Sequence, residues 1–280
     1  MAGCGLCIHR CELKEGQRGR CLARVCRDGA VVADNYGRVT SIALDPIEKK
    51  PLQRFHPGSR ILSVGSYGCN LSCPFCQNHE ISHPEDLQGL QQMARYISPA
   101  ELTALAERFV PEGNIGVAFT YNEPLVGLEY VLDCAEDLHR HGLKTVLVTG
   151  GLATAEICER LRGKIDAMNI DLKAFSDRFY KELIGGDRRM VMDFIECAHS
   201  FAHIELTCLI IPGENDDPEE MDAMAGWIAS LPEGEEIPLH VSRFFPRYHM
   251  QDRPPTDVDR VYALAETASK HLKYVYTGNC

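Results

Sequence analysis

From Arg60 onward, short apolar segments alternate with longer segments in which apolar residues recur at helical spacing. Six of the apolar segments have the length and composition of buried strands. They are Ile61–Val64, Ile115–Phe119, Lys144–Val148, Ala167–Ile170, Ile204–Ile210 and Pro238–Val241. Parallel neighbours need crossover connections, so six strand–helix alternations predict a parallel sheet of the α/β class. Six units are too few for a closed eight-stranded barrel. Residues 60–280 are therefore predicted to form an open, partial (β/α)6 TIM-like barrel.

The predicted helices have clear start signals. Ser98-Pro99 followed by Glu101 combines an N-cap residue, a proline at the first helical position and a capping-box glutamate. Asp217-Pro218 with Glu220 repeats that arrangement before the helix predicted over 221–231. In folds of this class the functional groups lie at the carboxyl ends of the strands, so those ends are where a site is expected.

Residues 1–59 have a different pattern and are predicted to form a small, cysteine-rich lobe. The apolar segments Ala30–Ala33 and Val39–Leu44 flank Asn35-Tyr36-Gly37, which predicts a β-hairpin. The stretch from Pro46 to Pro57 is predicted to connect this lobe to the barrel.

Composition excludes several classes of protein. The chain has 280 residues, 45% of them hydrophobic, which is enough for one core and a small appendage. No apolar run reaches the length of about 18 residues that a membrane helix needs, and the first ten residues lack the apolar core of a secretion signal. A net charge of −11 argues against a broad nucleic-acid-binding surface. Eight of the 13 cysteines precede residue 77. Without an export signal they indicate metal ligands in a reducing compartment, so a cytoplasmic location is expected.

Three cysteines follow the first predicted barrel strand directly, in the segment Gly68-Cys69-Asn70-Leu71-Ser72-Cys73-Pro74-Phe75-Cys76. Three thiolates can ligate three corners of a four-iron cluster and leave the fourth iron without a protein ligand. Three buried loop cysteines, or a zinc site completed by a distant ligand, are the alternatives. The spacing directly after a strand favours the cluster.

The spacing Cys-x3-Cys-x-aromatic-Cys, with Phe75 as the aromatic residue, resembles the signature of the radical S-adenosylmethionine (SAM) superfamily. The resemblance implies that Cys69, Cys73 and Cys76 bind a [4Fe–4S] cluster whose open iron chelates the amino and carboxylate groups of SAM. It also implies that Phe75 lies beside the adenine.

The segment Thr120-Tyr121-Asn122-Glu123-Pro124 follows the second strand, where the superfamily has its Gly-Gly-Glu motif. Asn122 and Glu123 match only the polar end of that motif. The resemblance implies that they contact the SAM ammonium, which a carboxylate at a strand end suits. The alternative is that Glu123 only starts the next helix.

The segment Asn169-Ile170-Asp171-Leu172-Lys173 resembles the Asp-Leu-Lys motif of the glycyl-radical activating enzymes. The resemblance implies that Asp171 helps to bind a monovalent cation near the SAM carboxylate and that Lys173 lies near SAM or substrate and takes part in catalysis. The two residues also share one face of an extended chain, although a surface salt bridge would give the same pattern. The third strand of the activating enzymes ends Asp-Thr-Asn-Gly, whereas this chain has Val148-Thr149-Gly150-Gly151. One cation ligand is therefore missing and only Thr149 is kept.

His240 lies in the sixth strand segment and is predicted to stand at its end. By resemblance to the activating enzymes it approaches the SAM ribose. A histidine that is simply satisfied within the core is the alternative.

Four cysteines of the lobe, Cys4, Cys7, Cys11 and Cys21, are predicted to form a second metal site. Cys4-x2-Cys7 is a knuckle with room for two tetrahedral thiolates, and the other two would complete a structural zinc site. The later spacing is not that of an ordinary zinc ribbon. A rubredoxin-like iron, a second iron–sulfur cluster and free thiols therefore stay open as alternatives. The later cysteines, Cys134, Cys158, Cys197 and Cys208, are interpreted as core or surface thiols.

The stretch from Cys4 to Cys21 closely resembles the radical SAM enzymes of the AmmeMemoRadiSam system, as do residues 36–39, 45–52 and 274–279. The resemblance implies the chemistry of the activating enzymes. In that chemistry, reductive cleavage of SAM gives a 5′-deoxyadenosyl radical that takes a hydrogen atom from a substrate such as a glycine of a partner protein. It implies a low-potential electron donor, and either Memo-like and AMMECR-like proteins or a glycyl radical enzyme as partners. The alternatives are radical modification of a small molecule or of another protein side chain, and a non-catalytic scaffold that binds metal or SAM.

Overall fold

The computed structural model describes residues 1–280. The strands, numbered in chain order, are β1 (Ala2–Gly3), β2 (Glu12–Leu13), β3 (Arg24–Arg27), β4 (Ala30–Ala33), β5 (Arg38–Val39), β6 (Ser41–Pro46), β7 (Arg60–Gly65), β8 (Arg95–Tyr96), β9 (Asn114–Phe119), β10 (Lys144–Thr149), β11 (Ala167–Asp171), β12 (His203–Ile210), β13 (Leu239–Arg243) and β14 (Val275–Gly278). The α-helices are α1 (His79–Ser82), α2 (Leu87–Met93), α3 (Pro99–Arg108), α4 (Leu128–Arg140), α5 (Ala155–Arg160), α6 (Arg188–His199), α7 (Pro218–Ala229) and α8 (Val258–Ala268). Short 3-10 helices cover Ile47–Lys49, Val110–Glu112, Pro124–Gly127 and Gly234–Glu236, and a π-helical turn covers Phe179–Leu183.

Eight strands form one open sheet in the order β14-β13-β12-β11-β10-β9-β7-β6. The six predicted barrel strands are β7 and β9 to β13, and their neighbours are parallel. The structure adds β14, parallel to β13, and β6, antiparallel to β7. The predicted open α/β barrel is therefore confirmed, with one further strand at each edge.

One of the two predicted capping boxes forms. The Ser98 side chain accepts from the Glu101 backbone N–H, and the Glu101 carboxylate accepts from the Ser98 N–H at 2.8 Å. At α7 the Asp217 side chain caps the helix, but Glu220 accepts from the Phe175 N–H at 2.6 Å instead. A tertiary partner has replaced the local one, so the second capping box is wrong.

The lobe pairs its strands differently from the prediction. β4 pairs with β3 in a hairpin whose turn is Asp28-Gly29, with φ of 51° and 74°. Asp-Gly is among the strongest hairpin signals and here prevails over Asn35-Tyr36-Gly37. β6 pairs with β7 in the main sheet, where Leu44 lies opposite Leu62. The predicted hairpin is wrong, and the boundary at residue 59 falls after a strand that belongs to the barrel sheet.

The connector between β6 and β7 closes the base of the barrel. Asn169 donates from Nδ2 to the Pro51 carbonyl oxygen at 3.0 Å, and buried Lys50 pairs with Asp45 at 2.9 Å. Ile47 and Leu52 of the connector are fully buried. They pack in one cluster with an inward-facing residue from each of four barrel strands: Ile61, Ala118, Val146 and Ala167. The connector is therefore part of the barrel core.

Helices α5 and α6 are joined by a disulfide between Cys158 and Cys197, where the sequence predicted thiols. The two helices follow neighbouring parallel strands and pack together, which brings the Cα atoms to 6.5 Å, within the range that a disulfide allows. None of the helices combines the length and the apolar character needed to cross a bilayer.

Candidate active site

A cavity of about 610 Å³ opens at the carboxyl ends of the barrel strands and extends down to the connector. Ligand pockets for small molecules have volumes of about 300–1,000 Å³, so the cavity can hold a molecule of the size of SAM. Every barrel residue predicted to bind a cofactor or to act in catalysis lines it: Cys69, Cys73, Phe75, Cys76, Asn122, Glu123, Thr149, Asp171, Lys173 and His240.

The loop that carries the three cysteines is fixed by backbone contacts on both sides. Gly68 has φ of 91°, and a Cβ atom there would collide with the Cys21 carbonyl oxygen. Ser72 N donates to the Ile184 carbonyl oxygen at 2.9 Å, and Glu123 N donates to that of Gly68 at 3.3 Å. These contacts hold the thiols at the wall of the cavity.

Burial raises the pKa of the Cys69 thiol well above its usual range, and the Glu123 carboxylate adds to this. Burial also raises the pKa of Cys73, to about 12, against the opposing effect of the Lys173 cation. Such thiols ionise when a bound metal supplies positive charge.

No three His, Cys, Asp or Glu side chains are arranged around one point as ligands of a single metal ion. A four-iron cluster differs from a single ion because each thiolate ligates a different iron. Three thiols along one cavity wall have the donor set of a four-iron cluster with one open iron.

Glu123 is held at the end of β9 by three hydrogen bonds. Its Oε1 accepts from Thr149 Oγ1 at 2.7 Å and from Leu125 N at 3.0 Å, and its Oε2 accepts from Gly150 N at 2.8 Å. The side chain is buried, which raises its pKa, while these hydrogen bonds lower it. Glu123 both starts the next helical turn and lines the cavity.

The Thr149 hydroxyl also accepts from Gly151 N at 3.0 Å, so it is already occupied within the protein.

The amide of Asn122 ties two strand ends together. Its Oδ1 accepts from Ser66 N at 2.9 Å, and its Nδ2 donates to the Gly68 carbonyl oxygen at 3.0 Å. Asn122 therefore fixes the start of the cysteine loop in addition to lining the cavity.

Asp171 and Lys173 form an ion pair inside the cavity, with 2.7 Å between Oδ2 and Nζ. The side chains are only 31% and 16% exposed, so this is not an ordinary surface salt bridge. Burial lowers the pKa of Lys173, but Asp171 and Cys73 more than offset this and hold it above its ordinary value. Lys173 is therefore a fixed cation at the end of β11.

His240 lies deeper in the barrel than predicted. It is the second residue of β13, and Ser242 stands nearer the carboxyl end of that strand. Its Nε2 donates to Oε2 of Glu205 at 2.7 Å, and its ring stacks on Tyr276 with 5.3 Å between centroids. The strand extends to Arg243, beyond the predicted Val241, which is why the predicted position at the strand end is wrong.

Sequence reasoning missed the cavity residues from the connector and the last strands. They include Glu48, Lys49, Gln53, Thr207, Ser242, Tyr276 and Asn279. In the sequence, residues 45–52 and 274–279 carry a family resemblance but no direct signal of a site. A direct signal existed for Glu205, because a carboxylate within an apolar strand is costly unless it has partners.

The four lobe cysteines lie outside the cavity lining. Cys7 and Cys21 are buried, while Cys4 and Cys11 are half-buried. Burial raises the pKa of Cys7 to about 11, and the nearby thiols of Cys21 and Cys4 add to the effect. The four are not arranged around one point, so a second metal site stays a prediction.

The lobe contacts the cysteine loop directly. His9 Nε2 donates to the Asn70 carbonyl oxygen at 2.7 Å, next to Cys69 in the chain. The Cys21 carbonyl lies against Gly68. The lobe therefore folds back onto the cysteine loop, although a connector separates the two along the chain.

Comparison with known proteins identifies the family. The model of the radical SAM superfamily matches residues 63–225. An uncharacterised protein of Methanocaldococcus jannaschii is 36% identical over 279 residues, which cover 99% of this chain and 80% of that protein. GTP 3′,8-cyclase of Limosilactobacillus fermentum is 30% identical over 154 residues, 53% of this chain and 45% of the cyclase. Pyruvate formate-lyase-activating enzyme of Clostridium pasteurianum is 25% identical over 187 residues, 65% of this chain and 75% of that enzyme.

The family match begins within β7, just before the cysteine loop, and ends within α7. It therefore includes the cluster cysteines, Glu123 and the Asp171–Lys173 pair. The family implies a [4Fe–4S] cluster and SAM as cofactors, and the cavity has the donor set for both. This chain is an enzyme and belongs to the radical SAM superfamily.

Proposed function

We propose that this enzyme removes a hydrogen atom from a substrate bound beside SAM in the barrel cavity, and that the substrate is a glycyl residue of a partner protein. Cys69, Cys73 and Cys76 would hold a [4Fe–4S] cluster, which when bound would supply the electron for reductive cleavage of a carbon–sulfur bond of SAM to methionine and a 5′-deoxyadenosyl radical. One observation carries the proposal. A single cavity brings the three thiols together with Glu123 and the Asp171–Lys173 pair.

The charged residues of the cavity complement the two charged groups at the amino-acid end of SAM. The Glu123 carboxylate suits the ammonium group, and the Lys173 cation suits a carboxylate. Asp171 holds Lys173 in place at 2.7 Å. Phe75 lies between the last two cysteines, where its ring can cover the adenine, and packs 6.1 Å from Phe179.

Two observations favour a protein substrate. The Asp171-Leu172-Lys173 segment resembles that of the activating enzymes, and an activating enzyme is among the relatives. The cavity is lined by Glu48, which follows β6, and by Asn279, which follows β14. β6 and β14 are the two edge strands of the open sheet. An extended segment of a partner can enter between these edges. A low-potential electron donor must supply the electron, and Memo-like and AMMECR-like proteins are the candidate partners.

A small-molecule substrate is the second candidate. The connector closes the base of the barrel, and the resulting volume of about 610 Å³ is typical of small-molecule pockets. A relative that is named as a cyclase of GTP adds support.

The test begins with enzyme reconstituted anaerobically with iron and sulfide, then reduced and given SAM. Wild-type protein and Cys134→Ala, which changes a buried thiol of α4 outside the cavity lining, are expected to form 5′-deoxyadenosine, whereas Cys73→Ala is not. Electron paramagnetic resonance of each candidate partner after turnover then reports a glycyl radical. Absence of 5′-deoxyadenosine from wild-type protein would contradict the proposed reaction. Its formation with a modified small molecule and no partner radical would select the second candidate.

A further inference from the structure

Glu205 is a buried carboxylate at the base of the cavity for which the proposed reaction has no role. It is the third residue of β12 and has no exposed surface. Its Oε2 accepts from His240 Nε2 at 2.7 Å and from Gln53 N at 2.9 Å. Its Oε1 accepts from His203 Nε2 at 3.0 Å and from Arg54 N at 2.7 Å. One carboxylate therefore joins two histidines to the connector.

The four donors keep this carboxylate ionised. Burial raises the pKa of Glu205, but the two histidines and the two backbone N–H groups outweigh it and bring the pKa to about 2. An ionised carboxylate can only accept hydrogen bonds, so Nε2 of His240 must carry a hydrogen. In the neutral imidazole, Nδ1 is then an acceptor.

Nδ1 of His240 makes no hydrogen bond within the protein, and the residue lines the cavity. Its ring is held from one side by Glu205 and from another by Tyr276, on which it stacks at 27°. Thr207 is its neighbour on β12 in the sheet register. The ring is therefore fixed in orientation with one nitrogen available to a bound molecule.

We propose that Glu205 is a positioning residue that fixes the tautomer and orientation of His240, so that Nδ1 accepts a hydrogen bond from a hydroxyl or N–H group of the molecule in the cavity. The same carboxylate holds the connector through Gln53 and Arg54, which sets the depth of the cavity floor. The donor group belongs either to SAM or to the substrate. The kinetic part of the test rests on the proposed SAM cleavage, whereas the spectroscopic part does not.

The spectroscopic test uses reconstituted enzyme in which histidine is labelled with nitrogen-15. Long-range proton–nitrogen spectra are expected to show His240 protonated at Nε2 and unprotonated at Nδ1, with its signal assigned by its loss in His240→Asn. In Glu205→Gln, whose amide can also donate, the signal should change to a mixture of tautomers. A wild-type His240 protonated at Nδ1, whether or not Nε2 is also protonated, would overturn the proposal.

The kinetic test compares variants that separate positioning from folding. His240→Phe keeps a ring but has no acceptor, whereas His240→Asn keeps an acceptor near the place of Nδ1. The matched control is His203→Asn, which removes the other histidine bonded to Glu205 but leaves the cavity lining intact. A lost hydrogen bond to a fixed group is expected to reduce 5′-deoxyadenosine formation about tenfold in Glu205→Gln and His240→Phe. His240→Asn should recover part of that loss, and His203→Asn should stay within about twofold of wild type.

Two further measurements complete the comparison. If the affinity for SAM falls in His240→Phe, the donor belongs to SAM. If that affinity is unchanged and only the yield of modified substrate falls, the donor belongs to the substrate. Equal activity losses in His203→Asn and His240→Phe that follow their melting temperatures would show a merely structural role and overturn the proposal. If the wild-type enzyme forms no 5′-deoxyadenosine, the proposed function is refuted. The proposal about Glu205 and His240 is then decided by the spectroscopic test alone.

Discussion

The segments that carry the two groups of cysteines contact each other in this molecule, but the two groups are held in different ways. Cys69, Cys73 and Cys76 lie on a loop that begins at the end of a barrel strand and is bonded to the neighbouring strand ends. The lobe cysteines, from Cys4 to Cys21, lie in a segment whose only strands, β1 and β2, have two residues each. A motif placed at a sheet end takes its geometry from the sheet. A motif in a small lobe has to take its geometry from packing and from any metal that it binds.

The largest difference is expected in catalysis. Cys73→Ala removes one of only three cluster ligands and should reduce 5′-deoxyadenosine formation at least about 100-fold. Cys7→Ser should leave most of the activity, because Cys7 lies outside the cavity lining. The measurement is chromatographic quantification of 5′-deoxyadenosine, with iron and sulfide content determined for each variant. Equal loss in the two variants would show that the lobe cysteines are part of the catalytic site.

The next effect is on the metal content and stability of the lobe. Changing Cys4 and Cys7 to Ser is expected to remove one metal equivalent and to lower the free energy of unfolding by about 2–4 kcal/mol, since a small lobe buries little apolar surface. The cluster on Cys69, Cys73 and Cys76 should still form. Elemental analysis of wild-type protein distinguishes the candidate metals. We expect about one zinc per chain.

An excess of iron and sulfide over one four-iron cluster, lost with Cys4 and Cys7, would instead show a second cluster in the lobe. The contact between His9 and Asn70 would then place that cluster beside the catalytic one, as an electron relay requires. Wild-type protein without any metal beyond the catalytic cluster would contradict the lobe site altogether.

A smaller effect on stability is expected where the lobe contacts the cysteine loop. Gly68→Ala adds a Cβ atom at a positive φ, where it meets the Cys21 carbonyl oxygen. The strain should cost about 1–3 kcal/mol and loosen the lobe and the cysteine loop together. Gly113→Ala is the matched control, because Gly113 also has φ of 91° but no atom lies within 4 Å of its added Cβ. Denaturant unfolding of both variants measures the difference. Equal losses would show that only backbone strain matters and that the contact does not.

The contrast between motifs at strand ends and motifs in the lobe also explains which features could be predicted from the sequence. The six barrel strands are continuous apolar runs between helices, and the cysteine loop, Glu123 and Lys173 follow from their positions at strand ends. The floor of the cavity could not be predicted this way, because Ile47 and Leu52 are isolated apolar residues in a stretch bounded by prolines. The role of Glu205 depends on partners up to 152 residues away in the chain. In the lobe, two turn signals compete within ten residues; Asp28-Gly29 forms the hairpin, and the pairing of β6 with β7 in the main sheet removes the partner that the other turn would need.

The smallest expected effect concerns the monovalent cation. The activating enzymes that the sequence resembles use an aspartate and a threonine at the end of the third strand, and here Val148 takes the place of the aspartate. The Thr149 hydroxyl is bonded to Glu123 at 2.7 Å and to Gly151 N at 3.0 Å, so it is engaged within the protein. Asp171 is paired with Lys173, whose ammonium supplies positive charge at that place. Exchanging potassium for sodium or for a bulky organic cation at constant ionic strength should therefore change 5′-deoxyadenosine formation by less than about twofold.

Val148→Asp provides the comparison, because it restores the missing carboxylate and should create a saturable dependence on one cation. A strong requirement for one ion in wild-type enzyme would mean that Asp171 leaves Lys173 to bind it.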